Sequence, residues 1–349
     1  MKQYKWTQWA AVGSIVVLLT SGCSVLGTKE HSQSIDPPPT GADASATTAK
    51  PVTAPVIQNP MPVTVYAKDG NGLVAPVSLN VEKSVEVAKK ALEAMVDGGR
   101  SATQLPAGFT PLISKGTQVK GIDIVKDQKL AIVDFSNAFT NYNVQDERKI
   151  LEAITWTLTG FPSVEKVQIR VEGKELKEMP EGGTPMDEPL TRSMGINLEK
   201  PEDVEYGQST PVTLYFLGQN QDNYKYYVPV TRLVKRTDNI AQAVVEQLIA
   251  GPDSKKGLAG VMTPGAELKQ VKKADDVITV DFSDKVLGPD KKAPAEALKS
   301  VVLSLTENTG LATKVQITVN GDSKISTTDN NQSYSKPVLR PSTVNPQKM

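Results

Sequence analysis

Among its 349 residues the chain has one cysteine, Cys23, and one histidine, His31. A lone cysteine excludes an intramolecular disulfide. Beyond His31 neither residue type remains, so the His and Cys clusters that transition-metal sites favour have no ligands there. A serine nucleophile likewise has no histidine base. No Gly-rich phosphate loop with its lysine occurs. Lys plus Arg and Asp plus Glu both total 39, which gives none of the basic excess that nucleic-acid binding uses. Two of the three tryptophans, Trp6 and Trp9, lie near the start, leaving Trp156 for the rest. No apolar run reaches the roughly 20 residues of a membrane span. No metal, cofactor or nucleic-acid partner is therefore expected, and no enzyme.

What is present begins at the N-terminus. Lys2 and Lys5 precede an apolar run from Ala10 to Leu19, followed by Leu19-Thr20-Ser21-Gly22-Cys23. A cationic start, a short apolar core and small residues before a cleavage point make a secretory signal. Small residues ending in Cys make it a lipoprotein signal, over residues 1–22, with Cys23 as the lipid attachment residue. Thr20 stands where that pattern more often has Leu. The segment up to Gly22 carries two lysines and no acid, so without it acids outnumber bases by two. The expected location is the extracytoplasmic face of the cell membrane, anchored through lipid. Residues 23–60, with Ile35-Asp36-Pro37-Pro38-Pro39 and a run of Ala, Thr and Ser, read as a disordered stalk. If extended, it would reach on the order of 100 Å.

Beyond the stalk the chain repeats itself. Pro62-Val63-Thr64-Val65-Tyr66 returns as Pro211-Val212-Thr213-Leu214-Tyr215, and Val133-Asp134-Phe135-Ser136 as Val280-Asp281-Phe282-Ser283. Lys166-Val167-Gln168-Ile169 returns as Lys314-Val315-Gln316-Ile317, and the helical Leu92–Gly98 as Val245–Gly251. Ordered matches at a nearly constant offset close to 150 indicate a domain duplication rather than a solenoid. Within each copy, strand patterns (Val74–Leu79; Tyr226–Leu233) precede an amphipathic helix. Val85, Ala88, Leu92, Met95 and Val96 share one face of the first such helix, and Ile240, Val244, Val245, Leu248 and Ile249 of the second. Thr237-Asp238 is the expected cap of the second. Two strands follow, then a helix carrying Ile150, Leu151, Ile154 and Leu158 or Leu298, Val301, Val302 and Leu305, then a last strand. This order predicts an α+β class, with two tandem homologous domains over 61–175 and 208–322. Each is expected to be a small mixed sheet with two helices on one face. Residues 176–207 read as an interdomain linker, in which Pro189-Leu190 and Gly195-Ile196-Asn197-Leu198 are placed to pack on a domain. Residues 323–349 are expected to be a disordered tail.

Carboxylates are the remaining chemistry. Asp134 and Asp281 recur before Phe-Ser, and the duplication favours a turn role in both copies over an acid–base pair. Tyr224, Tyr226 and Tyr227, beside the edge-strand marker Pro229, form a possible interaction surface for a partner or a glycan. Ordinary half-buried strand aromatics are the plainer alternative.

The lipoprotein signal, the Ile35-Asp36-Pro37-Pro38 stalk, Pro264-Gly265-Ala266-Glu267-Leu268, the two Val-Asp-Phe-Ser motifs and the two Lys-Val-Gln-Ile motifs together resemble GerMN domains. This is the sporulation and spore germination family, in a two-domain spore lipoprotein arrangement. The resemblance covers about Met61 to Gly321 plus the signal. It implies a ring-building-motif-like fold and a non-catalytic assembly role between mother cell and forespore membranes in an endospore former. The partners it implies are envelope or sporulation-complex proteins, and it offers no catalytic residues to carry over. Copy one departs from the pattern with Lys115-Gly116 in place of Pro-Gly. The alternative is a cell-envelope lipoprotein that binds peptidoglycan.

Overall fold

The structure, a computed structural model, describes residues 60–99 and 102–346. Cys23, the signal and all of the stalk but Pro60 lie outside the described residues. Repeat one runs β1 (Pro60–Lys68), β2 (Val74–Glu82), α1 (Val87–Glu93), β3 (Val119–Val125), β4 (Leu130–Phe135), α2 (Glu147–Leu158), β5 (Lys166–Val171) and β6 (Lys174–Glu175). Repeat two runs β7 (Ser209–Gln219), β8 (Lys225–Lys235), α3 (Ile240–Ala250), β9 (Leu268–Ala274), β10 (Val277–Phe282), α4 (Ala295–Thr309) and β11 (Lys314–Val319).

The class is α+β, but the strands of each repeat divide between two sheets. β1 and β2 form a separate antiparallel hairpin, as do β7 and β8. The mixed sheet is β3-β4-β5-β6 in repeat one and β9-β10-β11 in repeat two. In both, the first pair is antiparallel and the second parallel. A register shift falls beside Lys120 in one sheet and Lys269 in the other, so even the bulge is duplicated. The second helix of each repeat packs on the first hairpin strand, α2 on β1 and α4 on β7.

That packing explains buried polar residues in otherwise apolar helices. Apart from the bridges Lys68–Thr110 and Leu217–Ala259, the edge of β1 or β7 that faces the helix has no partner strand among the described residues, and its buried peptide groups need partners. The Tyr66 N–H donates to Thr157 Oγ1 (3.2 Å) and the Tyr215 N–H to Ser304 Oγ (2.9 Å). Thr157 and Ser304 occupy the same helical position in the two copies.

Two expected helix details shift. α1 begins at Val87, so Val85 precedes the first turn and is fully exposed instead of joining the apolar face. The cap of α3 is Asn239, whose side chain accepts from the Gln242 N–H (3.2 Å), one residue past Thr237-Asp238. Lys115-Gly116 and Pro264-Gly265 make equivalent turns, with Gly116 at φ 82° and Gly265 at φ 80°.

The linker and the tail do not float. Leu190 bridges to Val167 on β5, and Val338 bridges to Val315 on β11. Met179, Met186 and Ile196 are buried, as are Tyr334, Val344 and Asn345. The segment expected to be a disordered tail is therefore a packed strap through residue 346. The reason lies in the sequence. Pro189-Leu190, Arg192, Ile196 and Asn197 return as Pro337-Val338, Arg340, Val344 and Asn345 at a constant spacing. Each strap is the end of its repeat, and it covers the open edge of its own sheet.

The repeats share one continuous hydrophobic core, from Val65 and Phe135 in the first to Phe282 and Ile317 in the second. Asn197 binds both the N–H (2.8 Å) and the C=O (2.8 Å) of Val74, and also the Pro229 C=O (2.7 Å) of repeat two. Asn345 does the same with the Tyr227 N–H (2.8 Å) and C=O (2.9 Å) and with the Pro76 C=O (2.8 Å) of repeat one. Each asparagine thus ties its own hairpin to the other one, an arrangement with pseudo-twofold symmetry.

Candidate functional site

The residues singled out by sequence fall in three unconnected places. Asp134 Oδ1 accepts the Gly173 N–H (2.8 Å) and Asp281 Oδ1 accepts the Gly321 N–H (2.8 Å). Those glycines complete tight turns, Glu172-Gly173 and Asn320-Gly321, in which both residues of each pair have positive φ. The two aspartates therefore hold equivalent turns, as the duplication favours, but the turns lie beyond the neighbouring strands β5 and β11 and not beside Ser136 and Ser283.

The tyrosines do not form an open platform. Tyr226 is 2% exposed, its ring edge-on to Phe109 of repeat one (4.7 Å), and its hydroxyl donates to Asp69 (2.9 Å). Tyr227 is 7% exposed and packs with Tyr215, Leu303 and Val344. Only Tyr224 is partly open. Tyr226 and Tyr227 are thus corrected from a possible interaction surface to core positions. β8 crosses the junction between repeats, so its side chains are covered on both sides. Among the described residues no group of His, Cys, Asp or Glu is arranged to hold a metal ion.

The densest polar constellation went unread in the sequence. Arg192 of the first strap and Arg340 of the second converge on Glu307 of α4. Arg192 pairs with Glu307 Oε1, and Arg340 Nη2 lies 2.9 Å from Oε2. The Tyr215 hydroxyl donates to Oε2 (2.9 Å). Each arginine also binds the C-terminal half of its own repeat's second helix. Arg192 Nε donates to Thr159 Oγ1 (2.8 Å) and Nη2 to the Trp156 C=O (3.3 Å). Arg340 Nη1 donates to Thr306 Oγ1 (3.0 Å) and the Leu303 C=O (2.8 Å). Trp156 is in the last turn of α2, where a guanidinium satisfies a terminal carbonyl and complements the dipole; Leu303 lies six residues before the end of α4, where Arg340 braces the helix side. Arg192 stacks over Trp156 (5.6 Å) and Arg340 over Tyr215 (5.2 Å).

Burial by itself pushes the Glu307 carboxyl up. The Arg192 and Arg340 charges, with hydrogen bonds from Arg192 and Tyr215, outweigh it and hold the group down at about 2. The Glu307 side chain is 3% exposed, against 24% for Arg192 and 13% for Arg340. Two guanidiniums and one carboxylate leave this junction with one positive charge in excess. Beside it lies a cavity of about 250 Å³, lined by residues including Thr64, Tyr66, Trp156, Gly160, Arg192 and Arg340. The signal that would have revealed the cluster is the recurrence of Arg192 as Arg340, in segments that read as linker and tail.

Residues 64–177 and 213–324 each match the family model described as "Germane: Sporulation and spore germination". The chain is 38% identical over 353 aligned positions to the spore germination protein GerM of Bacillus subtilis (strain 168), covering 94% of each chain. The structure is similar to the solved tandem GerMN domains of the sporulation protein GerM from Bacillus subtilis. That match has a TM-score of 0.76 and 39% identity, and covers 83% of this chain and 100% of that one.

Proposed function

The chain belongs to the Germane family of sporulation and spore germination proteins, and from that premise we propose that it is a lipid-anchored, non-catalytic assembly protein. Cys23 carries the lipid on the extracytoplasmic face. The paired repeats dock with a multiprotein complex of envelope proteins between mother cell and forespore membranes. Among the described residues no helix is long and apolar enough to cross a membrane, so attachment falls to the N-terminal segment.

One observation favours docking over turnover. The strongest buried polar groups join the repeats to each other, whereas each mixed sheet keeps an outer edge without a partner strand among the described residues. Those edges are β3 and β9, and an unpaired edge is a ready surface for lateral association. Lysines at Lys120, Lys269, Lys272 and Lys273 keep these edges from indiscriminate pairing.

The test uses sporulating cells of the source organism. Cys23→Ala should abolish labelling by a clickable fatty acid and release the protein from membranes. Crosslinking of the full chain should capture envelope proteins, and Asp134→Asn and Asp281→Asn variants that accumulate should complement sporulation. Loss of function in a stable Asp variant that still crosslinks would overturn the non-catalytic reading. Retention on insoluble peptidoglycan with no protein crosslinks would replace it with wall binding.

A further inference from the structure

The ends of α2 and α4 correspond position by position, and one of their differences changes the charge. Trp156 corresponds to Leu303, Thr157 to Ser304, Leu158 to Leu305 and Thr159 to Thr306. The next two positions are Gly160-Phe161 in repeat one and Glu307-Asn308 in repeat two. Both arginines survive the duplication and only one carboxylate does. Asn308 holds Thr213 of β7 through the N–H (2.8 Å) and the C=O (2.7 Å). Thr64, the counterpart of Thr213, lines the cavity instead. The cavity therefore lies where repeat one lacks the side chains that complete repeat two.

We infer that this cavity binds a small monocarboxylate, whose carboxylate takes the place at Gly160 that Glu307 holds in the other repeat. Three features besides the missing side chains support it. The junction carries one excess positive charge in a setting largely removed from water, where an unpaired charge is costly. The lining includes Trp156, which is 1% exposed and whose indole N–H, sealed beneath the cavity wall, has no hydrogen-bond partner among the described residues. An indole N–H can only donate, so a carboxylate oxygen that displaces the lining over it would supply the acceptor it lacks. Finally, guanidinium forks match planar carboxylates, and Leu311 with the Trp156 ring offers apolar contact to a short hydrocarbon body. The volume equals the share of about eight liquid waters at ~30 Å³ each, enough for a four-carbon acid.

The full chain, purified in neutral detergent, is titrated with butyrate, inorganic phosphate or chloride at matched ionic strength. Tm and tryptophan fluorescence are read, with Trp156→Phe as the fluorescence blank. Butyrate should give a saturable fluorescence change and raise Tm by roughly 5 °C at a hundredfold excess over Kd. Gly160→Glu supplies the missing carboxylate from the chain and should abolish both responses. Its first side-chain carbon would lie 3.2 Å from the Thr157 carbonyl oxygen, so this variant could misfold. Trp156→Phe then serves as the second variant, with butyrate affinity read by Tm falling about tenfold. N-acetylalanine against its amide separates two sources of the same chemistry. Butyrate alone as ligand indicates a free acid, and tighter binding of N-acetylalanine but not its amide indicates a peptide terminus. Equal responses to butyrate and chloride, equal fluorescence responses to butyrate and phosphate, or full retention in a folded Gly160→Glu variant would each overturn the assignment.

Discussion

Repeat two ends its second helix with Glu307 and Asn308, and α4 runs to Thr309; repeat one has Gly160 and Phe161 there, and α2 stops at Leu158. Elsewhere the copies agree in fine detail. Their bulges, glycine turns, helix hydroxyls on the first hairpin strand, strap arginines and strap asparagines all correspond. Most of what the two copies share are side chains that satisfy buried backbone, because losing one leaves an unpaired peptide group; Asn308, which binds the Thr213 backbone and has Phe161 as its counterpart, is the exception. What differs besides is a charge where the two repeats meet. There Glu307 of repeat two pairs with both guanidiniums, and repeat one supplies no carboxylate of its own.

The largest effect should come from removing that shared carboxylate. Glu307→Ala leaves two buried guanidiniums without their acid and should cost about 3–5 kcal/mol in urea unfolding. A loss below about 1 kcal/mol would mean that apolar packing, and not this ion cluster, joins the repeats. Titration sharpens the same point. The folded-state pKa of Glu307, about 2, lies below the ordinary value of 4.5. Its contribution is thus fully present above about pH 4.5 and is lost as pH falls toward 2. Two to three pKa units correspond to about 3 kcal/mol. The stability difference between the parent chain and Glu307→Gln should therefore shrink across that window, as measured by urea melts at stepped pH.

A smaller, more symmetric effect is expected at the straps. Asn197→Ala and Asn345→Ala each remove three hydrogen bonds to hairpin backbone, two within a repeat and one across the junction. Each should cost about 2–4 kcal/mol, and the two costs should agree to within about 1 kcal/mol. A marked inequality would break the pseudo-twofold description and show that one strap dominates.

The sequence alone determined the duplication, the α+β class, and the helices from Ile150 and Leu298. Each is written locally, as a hydrophobic period or a motif recurring at fixed spacing. The same logic, carried further along the chain, reaches Arg192/Arg340 and Asn197/Asn345. Those pairs are lone polar residues in Pro-rich segments without periodicity, so their recurrence carries no element pattern to announce it. Only the tertiary structure decided what they do. Whether Tyr226 faces solvent or Phe109 and whether two arginines share one glutamate depend on how the second repeat is turned against the first. That orientation is set by contacts between residues more than a hundred positions apart, such as Asn345 with Pro76. Burial and charge pairing at the junction are properties of the two repeats together, and no local stretch of either copy encodes them.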